Sequence, residues 1–577
     1  MISAFLRKGR RLLHDSVLRR WLIHRLAHAS GRPPTFAPHR PPYLVDIDLA
    51  AIEREVPSLG RITTFRTIAA DEPRNPFTVE LPGQTVDLAP GTGHSLFRRE
   101  FADIETQLAV YRFAWLPLAG EAVDPAWVRA LWSSFVEHFG EPDASWAWHP
   151  YTAAERAINI LDFARRHGLP GEPAETFSLL ARHASAIAGR LEYFGDHDTS
   201  NHLANNGRGL YRLGLALGLP TATEAGRRIL LAEAERIFSR SGALREGSTH
   251  YHLLLTRSYT DAFLAAQAHE RPEAGALRAI VIRALSVLPH FGLPGGLPLI
   301  GDISPDCPPG FLSCLMPGGD LSSGWGALLE PGDRACLEAL CQIAPVSSTD
   351  ALARDGWARL SCGNWSALWH VAPDGWPPMP GHAHQDIGSF EAHWGAIPLF
   401  IDPGRGAYGE TGEAGRYVSA AAHNSITIGG REPYPPNKPY YTEAFRRSVC
   451  GPPPSLSRRH DGVTLAFDGF SRFSQLGHVE RDFRFGEQDM TIADSLSGKG
   501  HHRVVRRFHT PWPVVPGDGC LVIKTPAGDF RVNLDAPFSI SLGKRWVAYG
   551  VERPSWIIEA SAAALLPARL QVRVARL

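Results

Sequence analysis

The chain has 577 residues, 44% of them apolar, with 15 tryptophans, the composition of a folded protein. Lys+Arg and Asp+Glu are equal at 59 each, so no global field draws the chain onto nucleic acid, and a polyanionic partner has to be met by local basic groups. The length exceeds one ordinary core, and two or three domains are expected.

The N-terminus, MISAFLRKGRRLLHDSVLRRWLIHRLAHASGR, is basic and amphipathic but has no continuous apolar run of signal-peptide length. It reads as a helix packed on its own domain, with a membrane surface or a partner as the other reading. From Pro33 to Pro90 the chain is proline-rich without a clear period. Residues 1–96 are therefore taken as a basic helix and lead-in lying on the domain that follows.

A helical period governs residues 97–345. TQLAVYRFAWLPLAG, PAWVRALWSSFVEHFG, TAAERAINILDFARRHG and EAERIFSRSG carry apolar residues three and four apart, and several end at glycine. In SNHLANNGRGLYRLGLALGLP, Leu203, Leu210, Leu213 and Leu217 form one stripe that stops at Gly218 and Pro220. HYHLLLTRSYTDAFLAAQAHE follows, with Leu255, Tyr259, Ala262 and Phe263 on one face. Successive helices with short connections predict antiparallel hairpins in a large all-α domain. Between about Leu288 and Asp333 the chain reads as long loops, including GDISPDCPPG, and long loops in compact proteins are often functional.

After a boundary near Pro345–Asp355 the period becomes alternating, and residues 346–577 read as short antiparallel strands of a sandwich. No later segment reaches transmembrane length without charges or prolines, so no transmembrane segment is expected. The seven cysteines (Cys307, Cys314, Cys336, Cys341, Cys362, Cys450 and Cys520) are odd in number and contain no CxxC pair, which argues against a disulfide framework and a cysteine-rich zinc site.

Three constellations concentrate polar residues. Asn201-His202 with Asn205 opens a helix; capping by Ser200 or Asn201 explains one of these residues and leaves the rest. His250, Tyr251 and His252 open the next helix, where Tyr251 also fits a core position four residues before Leu255. The third is GHAHQDIGSFEAHWGAIPLFID, which follows Pro380 in turn-like sequence. His382, His384 and Asp386 alternate in it, Asp402 closes it, and AAHN with His423 comes shortly after. Imidazoles and carboxylates in this density are usual ligands of zinc or a similar divalent ion, and a hydrogen-bonded histidine-rich loop is the other reading.

Taken together, WHPYTAAERAIN, NHLANN, EGSTHYH, GHAHQD followed by SFE, FIDPG, AAHN and RVVRRFH resemble the heparinase II/III-like polysaccharide lyases. The resemblance implies an incomplete α/α toroid followed by an antiparallel β-sandwich, with a cleft between them. It implies cleavage of an acidic, uronate-containing polysaccharide by β-elimination, and a structural zinc. By position, Tyr251 and His382 match the catalytic residues, Asn201 and His202 those facing the uronate carboxylate, and His384, Asp402 and His423 the zinc ligands. Asn205, His252 and Arg156, in the same motifs, are assigned to substrate binding, and Asp386 to hydrogen-bonding support. The chemistry suits these residue types: donors neutralise the carboxylate beside C5, and a tyrosine with a lowered pKa or a neutral histidine takes the proton. The sequence departs from the family before Tyr251, where EGSTHYH lacks the usual Ser-Pro pair, and at Asn205, where one branch has glutamate. A glycosaminoglycan-like polymer is the leading substrate class. An alginate or oligouronate lyase, a C5-epimerase and a non-catalytic envelope-polysaccharide binder are the alternatives. The resemblance implies a periplasmic or envelope location, while the sequence carries no clear signal peptide.

Overall fold

A computed structural model describes residues 16–27, 37–58, 65–69, 71–373, 381–409, 411–435, 441–442, 445, 449 and 451–577. The first fifteen residues of the expected N-terminal helix, Pro380 and Cys450 lie outside them.

In the helical part His202–Leu217 and Pro220–Ile237 pack antiparallel, with Gly207 against Ile229 and Gly214 against Thr223. Its long members are Pro125–Phe139, Pro150–His167, Pro173–Ala188, His202–Leu217, Pro220–Ile237, Thr249–Ala268, Ala274–Leu285 and Pro331–Ile343. Five of them start on proline, whose missing N–H costs nothing in the first turn. EAERIFSRSG, read as helical, is the end of Pro220–Ile237, and the chain leaves the helix at Phe238. Pro33–Pro90 is not all irregular: TVELPGQTVDL folds into the hairpin β1 (Phe77–Leu81) and β2 (Gln84–Leu88). One described run, Ala274–Phe291, is long and apolar enough to cross a membrane, and 56% of it is buried inside this fold.

The rest is antiparallel sheet. β3 (Trp357–Cys362), β4 (Trp365–His370), β5 (Glu391–Trp394) and β6 (Ile397–Phe400) form a four-stranded sheet in sequential order. A ten-stranded sheet is made from β7 (Ile426–Ile428), β8 (Ser455–Arg458), β9 (Gly462–Phe467), β10 (Leu476–Phe485), β11 (Asp489–Thr510), β12 (Val514–Gly517), β13 (Cys520–Thr525), β14 (Gly528–Leu534), β15 (Phe538–Ala548) and β16 (Val551–Arg576). β11 and β16, 22 and 26 residues long, pair with each other and form its spine. Trp365, Trp369, Phe390, Phe483 and Phe508 pack between the two sheets, each removed from water.

Two smaller cores join the parts. Ala243, Val287, Phe291 and Ile300 of the helical part pack with Trp357 and Leu368 of β3 and β4. Ile303 packs with Tyr417, Ala422, Trp546 and Tyr549 of the sheet part. These contacts fix the loop Ile300–Asp306 between the layers. The basic helix Ser16–Ala27 departs from its expected place on the toroid. Val17 and Trp21, one turn apart on a single face, pack into the sandwich core, with Trp21 against Tyr441.

Candidate active site and metal centre

Three segments meet at the junction. His382 donates its backbone N–H to the Glu246 carbonyl (3.2 Å), and Asp302 donates its own to the His382 carbonyl (2.9 Å). Thr249 donates to the Ile300 carbonyl (3.1 Å), and the Ser248 hydroxyl donates to the Asp302 carbonyl (2.7 Å). Gly301 makes the approach possible: at φ 77° a Cβ there would lie 2.5 Å from the Gly247 carbonyl oxygen. Local hydrogen bonding thus brings EGSTHYH, GDISPDC and GHAHQD into one wall.

Asp302 is the hub of that wall. One carboxylate oxygen accepts from His384 Nε2 (2.7 Å) and the other from His382 Nδ1 (3.2 Å), while Arg405 donates to both (3.1 and 3.3 Å). Burial alone would raise the Asp302 pKa; the hydrogen bonds from His382 and His384 and the charges of His384 and Arg405 outweigh it and hold the carboxyl far below the usual range.

The His382 ring stacks on Tyr251 with centroids 3.3 Å apart. The Tyr251 hydroxyl shares a 2.7 Å hydrogen bond with that of Tyr408, which also donates to the Ile303 carbonyl (3.1 Å). Tyr251 is therefore more than a core tyrosine, although it is buried. Burial first, then the charge of Asp306, pushes its pKa well above the ordinary value, which overturns the expectation of a phenol acidified by cations. The hydroxyl stays protonated.

Asn201 and His202 stand by Glu246. Glu246 is wholly buried; one oxygen accepts the Asn201 backbone N–H (2.5 Å) and the other lies 3.6 Å from His382 Nε2. Asn201 makes no side-chain cap, so capping does not account for it, and its side-chain oxygen is buried without a hydrogen bond. His202 bonds through Nδ1 to Glu192 (2.8 Å); its side chain is 39% exposed where that of Glu192 is 10% exposed, so the imidazole forms the open wall and the carboxylate its backing. Burial lowers the His202 pKa, but Glu192 more than offsets this and the net shift is upward, toward the cation. Asn205 lies behind, donating to the Tyr151 carbonyl (3.4 Å).

Two assigned substrate-binding residues are corrected. Arg156 is fully buried; it donates to His183 Nε2 (2.8 Å) and to the carbonyls of Tyr111 (3.0 Å) and Ala147 (2.7 Å), and lies over the Phe135 and Trp148 rings. His252 is fully buried and held by the Leu244 N–H (3.3 Å) and the Ala284 carbonyl (3.0 Å). Both are packing residues, because both are wholly removed from solvent.

His384, Asp402 and His423 offer ligand atoms that all lie within 4.8 Å of one another, and all three are buried. The donor set fits a divalent ion of the zinc type. His384 spends Nε2 on Asp302, and its Nδ1 is buried without a partner. His423 Nε2 faces the Tyr417 carbonyl (3.0 Å), which can only accept, so its N–H belongs there. That turns the Nδ1 lone pair toward an Asp402 oxygen at 2.9 Å. Two acceptors at that separation need a cation or a proton between them, and without an ion the imidazole charges: burial opposes this, but Asp402 pushes His423 up to about 9. Asp386 sits beside them; burial pushes its carboxyl up to about 6 against the attraction of His423 and His384.

A family model described as heparinase II/III-like, C-terminal, matches residues 345–564. That segment, most of the sheet part, is similar to the family's C-terminal domain. The heparinase II/III-like resemblance of the motifs thus agrees with an independent comparison, and the fold agrees as well. A solved heparinase III superposes with TM-score 0.61 at 14% identity, over 83% of this chain and 78% of that one. A mutant of heparan sulfate lyase HepC from Pedobacter heparinus superposes with TM-score 0.53 at 14% identity, over 91% and 87%. No curated protein matches the sequence. The architecture is an α/α toroid with a β-sandwich, like these neighbours.

Sequence reasoning missed Asp302, Glu246, Glu192, Arg405 and Tyr408. Asp302 lies in the GDISPDCPPG loop, flagged only as long; Glu246 opens EGSTHYH itself; Arg405 directly follows FIDPG, with Tyr408 three residues further on.

Proposed function

We propose that the protein is a polysaccharide lyase that cleaves an acidic, uronate-containing polymer by β-elimination. The observation that supports this most is the convergence, around Glu246, of the stacked Tyr251–His382 pair with Asn201 and His202.

In this reading His202, biased toward its cation by Glu192, and the side-chain NH2 of Asn201 face the uronate carboxylate. They stabilise the charge that develops when the C5 proton leaves. His382 Nδ1 donates to Asp302, and Nε2, which lies buried 3.6 Å from Glu246, turns to the substrate and takes the C5 proton. The C5–H electron pair forms the C4–C5 double bond as the C4–O4 bond breaks. Tyr251, kept neutral by burial, donates its hydroxyl proton to O4. One proton is gained by the base and one lost by the tyrosine, and no water is consumed.

His384, Asp402 and His423 would hold a zinc-type ion, which when bound supplies a fixed positive charge that anchors these loops. Asp302 transmits that anchoring, because it grips His384 and His382 with its two oxygens. A glycosaminoglycan-like polymer is the leading substrate and alginate the runner-up.

The test is incubation of metal-replete protein with a panel of uronate polymers. Near-ultraviolet absorbance from a C4–C5 double bond is expected with one of them. C5 isotope exchange without chain shortening would instead identify an epimerase. Saccharide affinity unchanged in Tyr251→Phe, with no product from any polymer, would identify a binding protein.

A further inference from the structure

Trp146 is the one exposed tryptophan among the described residues, with 54% of its surface in water. A single apolar side chain on a surface needs no explanation; the neighbours of this one give it a meaning. Its indole lies 5.2 Å from the His149 ring, centroid to centroid. His149 in turn lies 3.5 Å from the Glu192 oxygen that also bonds His202. An exposed aromatic face is therefore continuous, through His149, with the open wall at His202.

The turn that carries the indole is fixed from beneath. Trp148, two residues on, is fully buried and donates its Nε1–H to the Phe139 carbonyl (2.8 Å). Arg156 donates to the Ala147 carbonyl (2.7 Å), and Arg190 donates to that of Trp148. Trp146 is thus a preorganised platform, which binds without the entropy cost of ordering a loop. Arg190 has no carboxylate partner among the described residues, and none of its nitrogens is buried without a partner, so the rest of its guanidinium faces water. It is a local basic group of the kind a polyanion requires on a chain of zero net charge. His149 is not a second cation. Burial first, with His202 and Arg190 adding to it against Glu192, holds its pKa below the ordinary value, and it meets a ligand as a neutral imidazole.

We propose that Trp146, His149 and Arg190 form a second sugar subsite beside the uronate pocket. The sugar next to the bound uronate lays the C–H face of its ring on the Trp146 indole and hydrogen-bonds His149 through a hydroxyl. It sets an anionic substituent, sulfate or carboxylate, on Arg190. A sugar presents an apolar ring face and polar edges together, and an indole flanked by polar groups matches both. The inference rests on the uronate-polymer reading and deepens it by naming what binds next to the cleaved unit.

The test uses full-length Tyr251→Phe, which holds a saccharide without cutting it. Calorimetry measures its affinity for hexasaccharides of heparan sulfate and chondroitin sulfate, of their desulfated forms, and of alginate. Adding Trp146→Ala should weaken the best-bound hexasaccharide by about tenfold or more. Trp146→Tyr should recover most of that loss, and neither change should move the unfolding midpoint, because the side chain is exposed. Adding Arg190→Gln should weaken binding and reduce its dependence on salt. A loss confined to sulfated saccharides identifies the anionic group as sulfate, and a loss with alginate identifies it as carboxylate. Unchanged affinity in Trp146→Ala would overturn the proposal, even where Arg190→Gln folds poorly. Failure of every hexasaccharide to bind either wild type or Tyr251→Phe would instead remove the uronate reading on which the proposal rests.

Discussion

Replacing Asp302 by asparagine keeps the shape of the hub and removes its charge. The amide oxygen can still accept from His384, but its NH2 group now faces either His382 or Arg405, both of which were donors to the carboxylate. Loss of an outer-shell carboxylate of this kind costs about 10–100-fold in metal affinity, or roughly 1.4–2.7 kcal/mol. Breaking a buried ion pair costs on the order of 3–5 kcal/mol. Arg405 keeps the carbonyls of Ala414 (3.2 Å) and Gly409 (2.9 Å), so the lower end applies. Because the folded pKa of Asp302 is depressed, its contribution is present above the unfolded value of about 4 and is lost only as pH falls through the folded one. Thermal unfolding with and without Zn2+ should therefore show a wild-type advantage that is flat from pH 5 to 8 and larger when the metal is present. Equal unfolding midpoints and equal metal retention would refute the hub.

Tyr251→Phe should lower turnover by about 10²–10⁴-fold, while losing only the hydrogen bond to Tyr408, worth roughly 0.5–1.5 kcal/mol; product formation and unfolding on one sample separate the two. Glu192→Gln should raise KM, because His202 loses the partner that favours its cation. The raised pKa of His202 means that its stabilisation is present below about 6.5 and is lost as pH rises through the folded value, so the unfolding gap between wild type and Glu192→Gln should narrow in alkali. Arg156→Lys should destabilise without changing KM, because three hydrogen bonds and two ring contacts of a buried guanidinium are at stake; a KM effect at unchanged stability would restore a substrate role.

Much of the fold was legible because its signals are local. The change from a helical to an alternating period separates two kinds of burial, and proline starts and glycine stops mark helix ends by backbone sterics alone. The lengths of β11 and β16 were not legible, because a strand that crosses a whole sheet alternates no differently from a short one. The basic helix was misplaced for a related reason: Val17 and Trp21 show an apolar face but not which core it meets. At the site, histidines were conspicuous by spacing, and carboxylates were not. Asp302 and Glu246 act through hydrogen bonds across 80 and 45 residues of chain, which no spacing rule encodes. Arg156 and His252 were misassigned because motif membership does not distinguish a residue that faces the cleft from one that holds the wall up.

The central claim is elimination at C5, and the most direct measurement is the chemistry of the cut end. Digestion of a responsive uronate polymer should give one unsaturated uronate for every new reducing end, with neither formed by Tyr251→Phe. New reducing ends without unsaturation, each taking oxygen from labelled water, would show hydrolysis and contradict the account.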